Sequence, residues 1–277
     1  MIVKAIILDI DGTLLNHAKV ITERTKRALM NAQAKGIKIV LASGRPTRGM
    51  MKLVHELEMD KHHGLVVSYN GASVVDCETN EIIYNQAMSI EEAKAVLKHM
   101  KNFDVMPMFG VGDTMMVDNV YGNEISWNGR TWNAVEYEAR GNDYRLCEPE
   151  HLWDAVEAPV NKILVAGDPQ YLLDHHKAMA EPFVGKLNSM FTAAFYYEFT
   201  ANGIDKANAL HESLVKMGIE AHETIAFGDG HNDLSIIKFA GLGVAMANAV
   251  EDLKQAADEI TLSNDEDGIA LVVERYL

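Results

Sequence analysis

The sequence predicts an α/β protein whose doubly wound, parallel-sheet core is interrupted by an inserted α+β unit. Three observations lead there. The apolar runs Ile2–Leu8, Ile37–Ala42 and Leu65–Tyr69 are continuous rather than alternating, as expected for strands buried on both faces of a parallel sheet. Helical patterns separate these runs, and the same strand–helix beat returns after Gly203. Between the two halves the pattern changes to hairpins and mixed strands and helices, which reads as a second unit.

Taken in order, Ile2–Leu8 is a buried strand that stops at Asp9-Ile10-Asp11-Gly12-Thr13. Thr22–Lys35 is a helix, with Thr22 as N-cap and Gly36 as stop. Ile37–Ala42 is a strand ending at Ser43-Gly44-Arg45-Pro46, and Pro46 suits the first turn of the next helix. Leu65–Tyr69 is a third strand and runs into Asn70-Gly71. Ala72–Asp76 and Glu81–Tyr84 form a hairpin, and Ser89-Ile90-Glu91-Glu92 is a capping box that opens a helix to about Lys101. Strands at Val105–Phe109 and Thr114–Asp118 precede an irregular polar and aromatic stretch, Asn119–Asn142. Lys162–Ala166 is a strand, Tyr171–Ala180 a helix and Ala194–Phe199 a strand. Asp205–Met217, Leu234–Ala240, Ala249–Ala257 and Ile269–Tyr276 are helices, and Thr224–Phe227 and Leu242–Met246 are strands. The layout is a Rossmann-like core from residues 1–83 and 196–277, with residues 84–195 inserted.

Composition narrows the function. A 277-residue chain with 48% hydrophobic residues suits one large or two smaller globular domains. The formal charge of -15 argues against nucleic acid or an acidic membrane surface as partner, but not against a small anion bound beside a local metal and Lys. Cys77 and Cys147 lack metal-ligand spacing, no signal region is visible and no apolar stretch approaches a bilayer span. The expectation is a reduced, cytoplasmic protein, monomeric or a small homo-oligomer.

In open α/β sheets, ligands bind beyond the carboxyl ends of the strands. Three strands end there in polar groups: Asp9 and Asp11, then Ser43-Gly44-Arg45, then Asp229 with Asn232 and Asp233. Asp9 and Asp11 are two apart on an extended segment, so both can face one ligand. Lys206, near a helix start, adds a cation. The set offers carboxylates to a hard metal and hydroxyl, amide and ammonium donors to phosphate oxygens. Each residue also has a plainer reading: Asp229 and Asp233 as helix-start charges, Ser43-Gly44 as a turn, Lys206 as a solvated side chain. Their order at successive strand ends favours phosphoryl chemistry over four coincidences. Asn70-Gly71 is equally a turn signal. Trp127, Arg130, Trp132, Tyr137 and Arg140 either face a leaving group or pack a loop, and Met106, Met108, Met115 and Met116 read as core of the inserted unit.

Asp9-Ile10-Asp11-Gly12-Thr13, Ser43-Gly44-Arg45, Gly203-Ile204-Asp205-Lys206 and Gly228-Asp229-Gly230-His231-Asn232-Asp233 resemble, in order, the four motifs of the haloacid dehalogenase superfamily. Ala240–Ala249 and Asn264-Asp265-Glu266-Asp267-Gly268 resemble its Cof-type sugar-phosphatase branch, with Ala247 where Gly is usual and Ala201 where Pro is common. The resemblance implies a cap domain inserted between the second and third motifs, a Mg²⁺ cofactor and a small phosphorylated metabolite as substrate. It implies Asp9 as nucleophile and metal ligand. Asp11 is then the acid–base residue, with its backbone carbonyl on the metal, and Asp229 is the third ligand. Ser43, Gly44, Lys206 and Asn232 would hold phosphate, with Asp233 supporting the metal-bound water or Lys206. A phosphomutase would use the same Asp9/Asp11 pair, and a phosphometabolite-binding regulator would keep the fold without turnover. The absence of membrane spans disfavours an ion pump, and Asp11 supplies a proton donor that a dehalogenase does not need.

Overall fold

The computed structural model describes residues 2–121 and 124–277. It divides into two compact units, Met1–Asn85 with Asp205–Leu277, and Gln86–Ile204.

The first unit is built on an eight-stranded sheet. Its strand order is Glu259–Ile260, Leu242–Ala245, Thr224–Gly228, Ala5–Leu8, Lys38–Ala42, Leu65–Ser68, Ser73–Asp76 and Ile82–Asn85. The first six strands are parallel, and the last two are added antiparallel. Ala5–Leu8 lies in the middle, with Ile6 in register with Ile225 on one side and Ile39 on the other. All four of its residues are buried, because the sheet is covered on both faces. Ile6, Leu8, Ile39 and Leu41 pack with Leu29 and Val272 on one face, and Ala5, Ile7, Val40 and Ala42 with Leu210, Leu214 and Ile236 on the other. This is why the runs read as continuous: period-2 alternation still directs the side chains, but both directions are apolar.

Local signals set the helix ends. Thr22 caps Glu23–Ala34 by accepting from the Thr25 backbone, and Gly36 follows with φ of 83°. Asp205 caps Lys206–Lys216, its carboxylate accepting from the backbone N–H groups of Ala207 and Asn208.

The second unit carries a six-stranded sheet in the order Arg145–Cys147, Thr114–Val117, Met106–Val111, Lys162–Ala166, Tyr196–Ala201 and Leu187–Ala193. Ser89 forms the full capping box of helix Ile90–Met100. Met108 and Met115 are buried in the core of this unit, with Met106 and Met116 partly buried.

Two readings need correction. The boundary at 195 cuts off a strand of the inserted unit: Tyr196–Ala201 pairs antiparallel with Lys162–Ala166 and Leu187–Ala193, so the compact units divide after Asn85 and after Ile204. Its entirely buried, aromatic-rich side chains suit either sheet, and only pairing decides between them. Asn119–Asn142 is also more regular than expected. Glu124–Trp127 and Arg130–Asn133 pair as a hairpin around Asn128-Gly129, both at positive φ, and Ala134–Gly141 is a helix capped by Asn133. The Asn-Gly turn signal was present in the sequence. Gly122 and Asn123, within that stretch, lie outside the described residues. No helix of the described residues is long and apolar enough to cross a membrane.

Candidate active site

Strands Ala5–Leu8, Lys38–Ala42 and Thr224–Gly228 are parallel neighbours, so the residues that follow them gather at one sheet edge. Lys206 ties the three together. Its ammonium donates to Asp9 Oδ1 at 2.9 Å, to Asp233 Oδ1 at 2.6 Å and to the Ala42 carbonyl at 3.0 Å. Lys206 and Asp233 are each 1% exposed and Asp9 5%. A buried ammonium with three donors and three acceptors is fully satisfied, which is the condition for burying Lys at all. The reading of Lys206 as a solvated helix residue is therefore wrong. Burial lowers its pKa, but Asp9 and Asp233 outweigh that and hold it above the ordinary Lys value.

Asp233 shapes the loop that carries Asp229. Its Oδ2 accepts from the backbone N–H groups of Asp229 at 3.1 Å and Gly230 at 3.0 Å, while Oδ1 takes Lys206. Asp229 in turn accepts from the Thr13 hydroxyl at 2.8 Å. Gly12 sits between, at φ of 91°, where an added Cβ would lie 2.3 Å from Asp229 Oδ2. Only glycine meets both demands, positive φ and contact with a carboxylate.

Carboxylate oxygens of Asp9, Asp229 and Asp233 lie within 4.8 Å of one another. Burial pushes the Asp9 carboxyl up to about 8 against the pull of Lys206, with Asp233 and Asp229 adding repulsion. Burial likewise raises Asp229, against the Thr13 hydrogen bond. A divalent cation would reverse both effects, and the donors are the hard oxygens that Mg²⁺ takes, so these residues fit such an ion. Asp9 Oδ2 accepts no hydrogen bond among the described residues, whereas both Asp233 oxygens are engaged. That division suits Asp9 and Asp229 as ligands and Asp233 as their support.

Asp11 faces elsewhere. Its side chain is exposed, outside the carboxylate cluster, and held by Arg45, whose Nε and Nη2 each donate at 2.8 Å, and by Lys19 at 3.0 Å. Burial would raise the Asp11 carboxyl, but Arg45 and Lys19 together hold it below the usual carboxylate range. Arg45 was visible in the sequence as the end of Ser43-Gly44-Arg45 but had no assigned role. Lys19 gave no signal, since it lies in a loop outside any motif.

Ser43 is buried at the end of its strand, its hydroxyl accepting from the Arg45 N–H at 3.3 Å and its carbonyl from the Asn70 N–H at 2.9 Å. Gly44 lies against the Asn70 amide, 3.0 Å from where a Cβ would stand, and Asn232 Nδ2 donates to Asn70 Oδ1 at 3.4 Å. Asn70 thus joins the two expected phosphate-binding segments, beyond its role as a turn.

The aromatic candidates divide. Trp132 packs edge-on against Phe195 at 4.9 Å within a core cluster of the second unit. Trp127 and Tyr137 are exposed at 41% and 61%, Arg130 is exposed, and Arg140 pairs with Glu136.

The sequence profile of the haloacid dehalogenase-like hydrolases matches residues 6–273. YxeH of Bacillus subtilis (strain 168) is 31% identical, over 99% of this chain and 98% of its own. A crystal structure of a haloacid dehalogenase-like hydrolase from Bacteroides thetaiotaomicron superposes with a TM-score of 0.91 at 37% identity, covering 99% of this chain and all of that one. The HAD subclass IIB sugar phosphatase BT4131 superposes with a TM-score of 0.74 at 28% identity, over 99% of this chain and 98% of that one.

Proposed function

Because the chain belongs to the haloacid dehalogenase-like hydrolases and is a phosphatase of that family, we propose that it hydrolyses small phosphate monoesters, sugar phosphates foremost, with Mg²⁺ and through an aspartyl-phosphate on Asp9. The observation that carries this reading is the buried Asp9–Lys206–Asp233 network beside Asp229. Such a costly arrangement of charge serves no packing purpose and matches what a dianionic phosphoryl group requires. The sugar preference is supported by the likeness to BT4131.

A divalent cation held by Asp9, Asp229 and, as the family implies, the Asp11 backbone carbonyl would offset the repulsion between carboxylate and phosphate. Asp9 attacks phosphorus, and the bond to the leaving oxygen breaks as that oxygen takes the Asp11 proton. Water then attacks the aspartyl-phosphate, Asp11 accepts its proton, and the Asp9–phosphorus bond breaks to release phosphate. Lys206 keeps its charge throughout; to face the phosphate oxygens with Ser43, Gly44 and Asn232 it must release one of its three acceptors. Asp11 in its Arg45 and Lys19 contacts is ready as base; to serve as acid it must leave them and gain a proton.

The two duties of Asp11 can be separated. Acetyl phosphate has a good leaving group and hardly needs the acid, but hydrolysis of the intermediate needs the base. With Mg²⁺ and acetyl phosphate, Asp11→Asn should accumulate phosphorylated enzyme, since general base help is worth about 10²–10⁴-fold. Intact mass after rapid quench should rise by one phosphoryl group, mapped to Asp9, and Asp9→Asn should neither label nor turn over. Label on Ser43 or His231, or an unlabelled Asp11→Asn enzyme with wild-type turnover, would overturn the assignment.

A further inference from the structure

The short turn after strand Leu242–Ala245 and the Asn264–Gly268 segment resemble the Cof-type branch without a role attached to either. In the structure both are fastened to the loop that follows the nucleophile. Asn248 Nδ2 donates to the Gly12 carbonyl at 2.8 Å, and its Oδ1 accepts from the Asn264 N–H at 3.2 Å. Asn264 Nδ2 donates to the Leu15 carbonyl at 2.8 Å. Asp265 accepts from the His17 backbone N–H at 3.0 Å and touches its ring, and Asp267 accepts from the Thr22 hydroxyl at 2.5 Å. The same turn also reaches the other acidic loop: the Met246 N–H donates to the Gly228 carbonyl at 3.0 Å and the Val250 N–H to the Asp229 carbonyl at 2.9 Å.

We infer that Asn248 is a positioning residue that braces the Gly12 peptide and thereby keeps the Asp9–Thr13 loop in register with Asp229. The inference rests on the phosphotransfer reading above. Glycine at φ of 91° fits against Asp229, but glycine is also the residue most free to leave that conformation. Its neighbour Thr13 reaches Asp229 through a single hydroxyl. The carbonyl of Gly12 is the group that reports its peptide orientation, and Asn248 is the side chain that holds it. One amide spans both loops because it sits on a turn whose backbone is already bonded to Gly228 and Asp229. Asn248 is itself exposed, so it fills no core space, and losing it removes hydrogen bonds rather than packing.

The test uses the full chain with Mg²⁺ and p-nitrophenyl phosphate in about 0.5 M salt, where an added surface charge is screened. Asn248→Ala loses both hydrogen bonds. Asn248→Asp, ionised, still accepts from Asn264 but cannot donate to Gly12. Both should lower kcat by roughly tenfold, within the range a small misplacement of reacting groups produces. KM should stay within about twofold and the thermal midpoint within about 2 °C, as for an exposed side chain. Hydrogen exchange should quicken in residues 12–16 of both variants and not in the Asn264 segment of Asn248→Asp. Full kcat in Asn248→Ala, or recovery of kcat in Asn248→Asp, would overturn the Gly12 brace, as would a lower midpoint with unchanged exchange in residues 12–16. Asp9→Asn is run alongside: if it turns over, the phosphotransfer reading itself fails, whereas a dead Asp9→Asn beside fully active Asn248 variants refutes only this inference.

Discussion

The Lys206 site and the Trp127–Arg140 stretch treat charge in opposite ways. In the first, Lys206, Asp9 and Asp233 are buried and every contact is specified: one ammonium, two carboxylates and a carbonyl, each 2.6–3.0 Å away. In the second, Arg130, Tyr137 and Arg140 stand in solvent, and the pair Arg140–Glu136 is a single-helix contact. A buried charge tolerates few arrangements, because each unpaired partner carries a large desolvation cost. An exposed one tolerates many.

The sharpest break of this contrast is Lys206→Met. It strands two buried carboxylates, so the first unit should lose about 3–5 kcal/mol of stability, together with turnover. Chemical denaturation in chelator should recover much of the loss when Asp233→Asn is added, and a Lys206→Met protein as stable as wild type would remove the basis of the comparison.

Within the second unit, Trp132→Ala and Arg130→Ala should separate packing from surface. Trp132 is only partly buried, so its truncation should cost about 2 kcal/mol, below the range for a fully buried Trp. Arg130→Ala should change stability by less than about 0.5 kcal/mol. It should alter the ranking of sugar phosphates while leaving p-nitrophenyl phosphate hydrolysis in place. A uniform loss across substrates from Arg130→Ala would end the case for a specificity role.

A pH dependence tests the same buried charges. The folded pKa of Asp9 is raised from 3.8 to about 8, so between those values the folded state binds more proton than the unfolded one. Stability from this group is present at low pH and is lost as pH rises toward 8. In chelator, the melting temperature of wild type should therefore fall relative to Asp9→Asn between about pH 5 and 8, and Mg²⁺ should diminish the difference. A flat difference across that range would show that Lys206 alone keeps Asp9 ionised.

How much of this was legible without coordinates varied with the kind of signal. Local signals carried through: Thr22 and Ser89 as caps, the three apolar runs as neighbouring strands, and the acidic strand ends at one sheet edge. Asn128-Gly129 is equally local but sits inside a stretch that reads as irregular, and it turns the hairpin there. The boundary at 195 cuts Tyr196–Ala201 off from the sheet it pairs in, since a buried aromatic strand carries no mark of its partners.

By itself the sequence determined the residue types, their order and the strand ends they occupy, because hydrophobic period and capping chemistry act over a few residues. Only the tertiary structure decided which charges meet. Lys206 reaches Asp9 across 197 residues, Arg45 rather than the carboxylate cluster claims the Asp11 side chain, and Asn248 closes on Gly12 across 236. Those pairings are set by strand order and by the need to satisfy buried charge, and neither is written in the neighbours of any one residue.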